Sequence, residues 1–407
     1  MGIITLKDRQ RHRIHPDLNQ MQLNSQLPFI KGNWYFVDPE DGDNDETGRD
    51  MDKAVADLQT AYGKCTTGNG DGIVLMSSGV SGSTTSSYLD TPITWSKWGI
   101  TVVGICAGGM MGQRARVTTV KRTTGALTTL AFPTATTITD SASGFITAGF
   151  EVGNCISIDS TSNLNDGVAI ITTLTAGTMT CAASTFTPEA AVAAGATTIT
   201  TYMPRMIYLT GSNNSFHNIL FGNEDNNVLS LGAIEISGDR NVFSGCQIYG
   251  AVNATPAASA SAFDLRMNSA GENTFYGCTI GGQTVPKAAA NGCISFANGN
   301  GQNHWIDCTI LSQSITAGHG AIKSESNTAC GGVEIFKRCS FINWKANGAS
   351  ALTSAFIGTA FPSGYILMDS CSLFGWAAWD SVGGNNIIYV ANSDATATGA
   401  GGIATTV

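Results

Sequence analysis

The chain reads Asn241-Val-Phe-Ser-Gly-Cys246-Gln-Ile-Tyr-Gly and then, 32 residues on, Asn273-Thr-Phe-Tyr-Gly-Cys278-Thr-Ile-Gly-Gly. The phrase returns as Asn303-His-Trp-Ile-Asp-Cys308-Thr-Ile, Glu334-Ile-Phe-Lys-Arg-Cys339-Ser-Phe and Ile366-Leu-Met-Asp-Ser-Cys371-Ser-Leu. Its cysteines are therefore spaced 32, 30, 31 and 32 residues apart. A second phrase recurs between the copies: Ala233-Ile-Glu-Ile, Ala262-Phe-Asp-Leu, Cys293-Ile-Ser-Phe, Ala321-Ile-Lys and Ala355-Phe-Ile. A period near 30 with two short phrases per repeat is the signature of a solenoid.

Within each phrase apolar residues alternate with small or polar ones, as in Ile234-Glu-Ile236, and period two is the period of a strand. Gly, Asn and Ser punctuate phrases too short for helices. Copies that stack in one direction make parallel ladders, each turn ~4.8 Å above the last. The expected fold is all-β: a right-handed parallel β-helix with Cys246, Cys278, Cys308, Cys339 and Cys371 as one inner column. Ile248, Ile280, Ile310, Phe341 and Leu373 form the column beside it. Asn214, Asn241, Asn273 and Asn303 make a third series at a bend, where Asn tolerates left-handed backbone and can bond the copies above and below.

Composition agrees with such a coil. A chain of 407 residues exceeds one compact core, but a solenoid escapes that limit because each turn touches only its neighbours. A net charge of -9 argues against a nucleic-acid partner. The sequence contains no apolar run of about 18 residues, so no membrane span is expected, and MGIITLKDRQRHR has no apolar core of a secretory signal. The five column cysteines sit among aliphatics and no Cys-x-x-Cys occurs, which reads as buried filler and not as a zinc site or disulfide set.

Residues 1–31 are a basic arm carrying Arg9, Arg11 and Arg13, without strand or helix periodicity. An arm with no core of its own is expected to dock on something, its own subunit or a neighbouring protein. The acid-rich loop after Trp34-Tyr-Phe-Val offers Asp41, Asp43 and Asp45 as weak candidate oxygen ligands for Ca²⁺, but their spacing does not match an EF-hand. The alternative is a solvated loop that feeds acids to a helix N-terminus. Residues 50–62 place Met51, Val55, Leu58 and Tyr62 on one helical face, as a helix capping the open end of the coil would require.

This opening carries a resemblance. A strand ending Val37-Asp-Pro39, an acidic loop, a short helix and then Gly70-Asp-Gly-Ile-Val-Leu75 resembles the start of the pectin-lyase-like β-helix of many bacteriophage virion surface proteins. Residues 32–117 are then the opening with the capping helix and first turns, and 205–390 the main coil. Between them, 118–204 is rich in Thr and Ala and contains Gly149-Phe-Glu-Val-Gly-Asn154-Cys-Ile-Ser-Ile158. That stretch resembles a small β domain recurring as an insertion in phage structural proteins, with Asn154 in place of the commoner Asp, a conservative exchange. Trp376, Trp379 and Tyr389 near the closing turns are expected to lid the last turn, or else to stack on sugars. The tail from 391 to 407 is low in bulk and needs partner contact to be ordered.

Coils of this type often carry polysaccharide-cleaving sites, which need two carboxylates about 5 Å apart or wider. Glu235 and Asp264 are the weak candidates, since the phrase alignment puts them in one outward column a turn apart. Like charges so placed would raise one pKa, as an acid/base pair requires. Against this, acids on an exposed strand face are commonly decoration, the column continues with Ser295 and Lys323, and no His or Arg other than Arg266 stands nearby. No nucleophile elbow, phosphate loop or metal motif is present, and no cofactor is expected.

A second outward column, Tyr249, Gly281, Leu311, Ile342 and Phe374, is mostly large and apolar, which marks an interface or a stripe covered by an overlying loop of the same chain. The resemblance implies a homotrimer on the virion, with capsid or tail proteins as partners. The expected function is a non-enzymatic capsid decoration or head spike, anchored through the arm. The alternative is a tail spike that binds or cleaves host surface polysaccharide.

Overall fold

A computed structural model describes residues 30–77, 86–106, 115–119, 127, 129–160, 164–182, 185–190, 197–314, 318–345, 354–360, 363–380 and 386–390. Arg9, Arg11, Arg13 and the tail from 391 lie outside the described residues. The chain is a right-handed parallel β-helix of about eight turns. Three parallel sheets form its walls. Sheet 1 runs through ten strands from Trp34–Val37 to Ile387–Val390, sheet 2 through eight from Ser86–Leu89 to Ser372–Phe374, and sheet 3 through eight from Ile93–Trp95 to Ala378–Asp380.

Backbone sterics explain the corner between sheets 1 and 2. One residue in left-handed conformation turns the chain there in six successive copies: Asn218, Gly245, Gly277, Asp307, Arg338 and Ser370, with φ from 53° to 62°. In the last five of these the column cysteine follows at once. Each thiol donates to a sheet 1 carbonyl of the turn before, Cys246 Sγ to Phe216 O at 3.4 Å and Cys339 Sγ to Trp305 O at 3.2 Å. Hydrogen bonding with Cys278 and burial push the Cys308 thiol up to about 12. All five are buried thiols outside any disulfide, alongside Ile248, Ile280, Ile310, Phe341 and Leu373.

The asparagine series is a ladder. Asn241 Nδ2 and its backbone N–H both donate to Asn273 Oδ1, at 3.1 and 2.9 Å, and Asn273 repeats this on Asn303 Oδ1 at 3.0 Å. Contrary to the expectation for a bend asparagine, the left-handed residue is not the ladder asparagine itself but the one before: Asn213, Arg240, Glu272 and Gln302. The ladder asparagine is therefore free to point its amide inward, out of reach of water. Inside it Phe216, Phe243, Phe275, Trp305 and Phe336 stack with centroids 4.0–5.2 Å apart.

The capping helix α1 (Leu58–Lys64) is shorter than the apolar periodicity predicts. Asp57 accepts from Thr60 N at 2.7 Å and so starts the helix at Leu58. Met51 falls in a separate 3₁₀ turn and is exposed, and Val55 is extended, bridging Val37. Leu58, Ala61 and Tyr62 still enter the coil core, with Tyr62 against Trp95. Trp376 and Trp379 join the same core at the far end.

Between the sheet 2 strand Ala115–Thr119 and the sheet 3 strand Arg205–Leu209 the chain leaves the coil. Six antiparallel strands from Leu130–Thr134 to Thr197–Tyr202 enclose their own core of Phe132, Ile138, Phe145, Phe150, Ile158, Met179 and Ile199. Asn154 proves not to be a conservative exchange. Its Oδ1 accepts from Glu151 N, but its Nδ2 donates 2.8 Å to Asp90 O of the coil, a bond an aspartate cannot make.

Candidate functional site

Glu235 and Asp264 do not face each other across adjacent turns, because the register separates them. Ile234 pairs with Leu265 and Glu235 with Arg266, so Asp264 stands two residues from the place the phrase alignment assigned. A slip of two preserves which side chains face in and which face out, so alternation alone cannot detect it. Opposite charge selects the observed register. Arg205 Nη1 and Arg266 Nη1 approach Glu235 at 2.7 and 3.0 Å, Asn268 Nδ2 at 3.0 Å, and Arg266 continues to Glu325 at 2.6 Å. Both Glu235 oxygens thus have cationic partners.

Asp264 also points away from the core, but loops from the sheet 2 to sheet 3 corner cover it completely. Its Oδ1 accepts from Gly250 N at 2.8 Å and lies 3.4 Å from Lys287 Nζ, itself 2% exposed. Beside it stand Cys293, His319, Ser312 and Asn291, all buried. Asn291 Nδ2 donates to Ala257 O and Ser259 O, so its Oδ1 faces His319 and fixes the proton on Nδ1, at 2.7 Å. His319 Nε2 then accepts from the Ser312 hydroxyl, and Cys293 Sγ is 3.9 Å away. The grouping has the residue types of a nucleophile–imidazole–amide site without its electrostatics. Burial and Lys287 lower His319 to about 3, and burial and Asp264 push Cys293 well up, so thiol and imidazole are both neutral.

The outward apolar column needs a partial correction. Tyr249 is buried beneath the chain's own 282–287 loop, its hydroxyl 3.2 Å from Thr284 Oγ1 and accepting from Val285 N. Leu311, Ile342 and Phe374 share one register and are half-buried, and Trp344 beside them is 64% exposed. On the adjoining outer face of sheet 1, Val242, Ile306, Ile335 and Leu367 are half-buried, with Tyr276 and Tyr365 exposed. From Asn218 to Ser370 the one-residue left-handed corner brings the two faces together without an intervening loop. Simple alternation reveals the outward column but not which of its members a loop covers.

Asp41, Asp43 and Asp45 are exposed. The loop closes on itself and on the helix, with Asp45 N on Asp43 Oδ1 and Ala56 N on Asn44 Oδ1. Among the described residues no group of three His, Cys, Asp or Glu is placed to hold a metal ion. At the sheet 3 to sheet 1 corner an open groove of about 310 Å³ is lined by Asp239, Glu272, Ser269, Gln302 and stacked glycines. Its carboxylates have partners: Asp239 accepts from Gly271 N, and Glu272 pairs with Arg240.

No protein-family model matches the sequence, and no curated protein does. Among solved structures the chain is similar to pectate lyase Pel9A, at 11% identity and a TM-score of 0.46 over 92% of this chain and 79% of that one. A pectin methylesterase from Aspergillus niger shares 11% identity with a TM-score of 0.38 over 91% and 89%. The tailspike protein gp49 of Pseudomonas phage LKA1 shares 12% with a TM-score of 0.29, covering 81% of this chain; the alignment spans 63% of that tailspike.

Proposed function

We propose that the chain is a structural protein of a bacteriophage virion surface, a stiff homotrimeric coil serving as capsid decoration or head spike. The observation that carries this reading is the outer ridge of sheets 1 and 2, where Leu311, Ile342 and Phe374 are half-buried and Trp344 and Tyr276 exposed among the described residues. A long, flat, partly apolar face on a coil suits side-by-side association around an axis. The basic arm with Arg9, Arg11 and Arg13 is the proposed anchor on capsid or tail proteins. The occupied oxygens of Glu235 and the burial of Asp264 weigh against glycan cleavage at those residues. Light scattering is expected to return three times the chain mass, and Leu311→Arg with Ile342→Arg is expected to return monomers. A monomeric wild-type protein at micromolar concentration overturns the threefold reading.

The alternative, a tail spike that binds host polysaccharide, is favoured by the groove with Asp239, Glu272, Ser269 and Gln302, whose polar lining suits sugar hydroxyls. New reducing ends or unsaturated sugar on incubation with host polysaccharide would replace the non-enzymatic reading. Saturable binding without cleavage would favour the tail spike over the decoration.

A further inference from the structure

The Lys287–Asp264 pair is unusual for what surrounds it. Both side chains are out of solvent, at 3% and 0% exposure, on a chain whose other ion pairs among the described residues reach water on at least one side. Removing two charges from water is costly, and a single pair with incomplete hydrogen bonding recovers that cost poorly. The bonding here is incomplete. Asp264 Oδ2 is buried and has no hydrogen-bond partner among the described residues, and Oδ1 carries both Gly250 N–H and Lys287 Nζ. The ammonium lies 5.2 Å from the Tyr249 ring centre and reaches Ala251 O at 3.5 Å.

We propose that Lys287 and Asp264 form an intramolecular isopeptide cross-link. Proton transfer within the pair converts ammonium and carboxylate to amine and carboxylic acid, with no change in total charge. In a site closed to solvent the neutral couple loses little against the ionic one. Lys287 Nζ then attacks Asp264 Cγ. Gly250 N–H is already bonded to Oδ1 and stabilises the negative charge that gathers there, as an oxyanion donor does. Oδ2, the oxygen without a partner, leaves with two protons as water. One C–N bond forms, one C–O bond breaks, and no oxidant or external reagent is consumed. Ala251 O holds the nitrogen against the carboxyl throughout, which supplies the proximity such a condensation needs. Burial pulls the Lys287 ammonium down while Asp264 pushes it up, with a net rise. The condensation therefore proceeds from the minor neutral couple and is slow, as a single maturation event can be.

The product would staple the loop that ends at Lys287 to the sheet 3 strand Phe263–Met267, one turn to the next. For a particle outside a cell that is a gain in kinetic stability.

Intact mass spectrometry of the purified, aged protein tests this without any variant: a deficit of about 18 Da, one water, is expected. Fragmentation should return a branched peptide joining Lys287 to Asp264. Asp264→Asn should lose about 17 Da, as ammonia leaves in place of water, and Lys287→Met should lose nothing. Aged wild-type protein at its full sequence mass, with separate linear peptides for the two residues, overturns the proposal even if every variant fails to fold.

Discussion

Glu334 occupies the fifth place of the asparagine ladder, and the reason is the ring next to it. Its Oε1 accepts from Asn303 Nδ2 at 2.8 Å and its Oε2 from Trp305 Nε1 at 3.2 Å. Where the ring column carries Trp instead of Phe, the neighbouring turn needs a second acceptor. A carboxyl presents two separate oxygens, one toward Asn303 and one toward the indole, whereas an asparagine there would present a single oxygen to the turn before. Burial pushes Glu334 up to about 8, against 4.5 for an ordinary glutamate, so the folded protein keeps a proton that the unfolded chain releases. The sign follows from linkage: stability present below pH 4.5 is lost progressively as pH rises to about 8. The loss is at most about 1.4 kcal/mol per pH unit in that window. Urea unfolding at several pH values should show the decline, and Glu334→Gln should flatten it. The same variant should also cost about 1–3 kcal/mol at pH 6, because an amide offers N–H to a donor. A Gln variant with an unchanged pH profile would refute the assignment.

At the scale of the repeated elements, two corner positions that look alike in sequence differ physically. Gly277 has φ 58° and open space where a Cβ would sit, so Gly277→Ala is expected to cost only backbone strain, about 1 kcal/mol. Gly281 has φ 90°, and a Cβ there would lie 2.2 Å from Leu311 O. Gly281→Ala must displace the strand above and should cost clearly more. Asn273→Ala should rank with it, because Asn241 loses the acceptor for two donors, at about 1–3 kcal/mol for each buried group left unpaired. Denaturation midpoints in the order Gly277→Ala, then Gly281→Ala and Asn273→Ala, check the account; equal midpoints would contradict it.

On the scale of the whole molecule, the described residues hold two large apolar cores beside two small clusters. The coil core runs from Tyr35 to Trp379, and the antiparallel sheet keeps its own core around Phe132 and Ile158. Few bonds link them, among them Asn154 Nδ2 to Asp90 O and Asn227 Nδ2 to Ser157 Oγ. A coil whose turns support one another unfolds as a unit, and a separately cored sheet need not follow it. Hydrogen exchange should therefore report two cooperative blocks, with strand Gly167–Leu174 opening before strand Thr274–Tyr276. A single opening free energy for both would mean that the junction is stronger than its bonds imply.

The repeat itself was legible because a solenoid writes its geometry into spacing. Any residue that stacks on its own copy must recur once per turn, so Cys246, Ile248 and Asn241 announced inner columns with no tertiary information. The resemblance at the opening, Val37-Asp-Pro39 through Leu75, was legible for a similar reason, since a capped first turn is a local arrangement. Alternation also told inside from outside. It could not tell Glu235 opposite Arg266 from Glu235 opposite Asp264, because a two-residue slip leaves that pattern intact, and it could not say that a loop buries Tyr249 and Asp264. Those facts depend on charge pairing across turns and on where long loops fold back, both set by residues distant in the chain. Sequence alone determined the coil and its periodic interior; the tertiary structure decided the register between turns and the covering of the outer face, because side chains 23 to 59 residues apart meet only after the coil has closed.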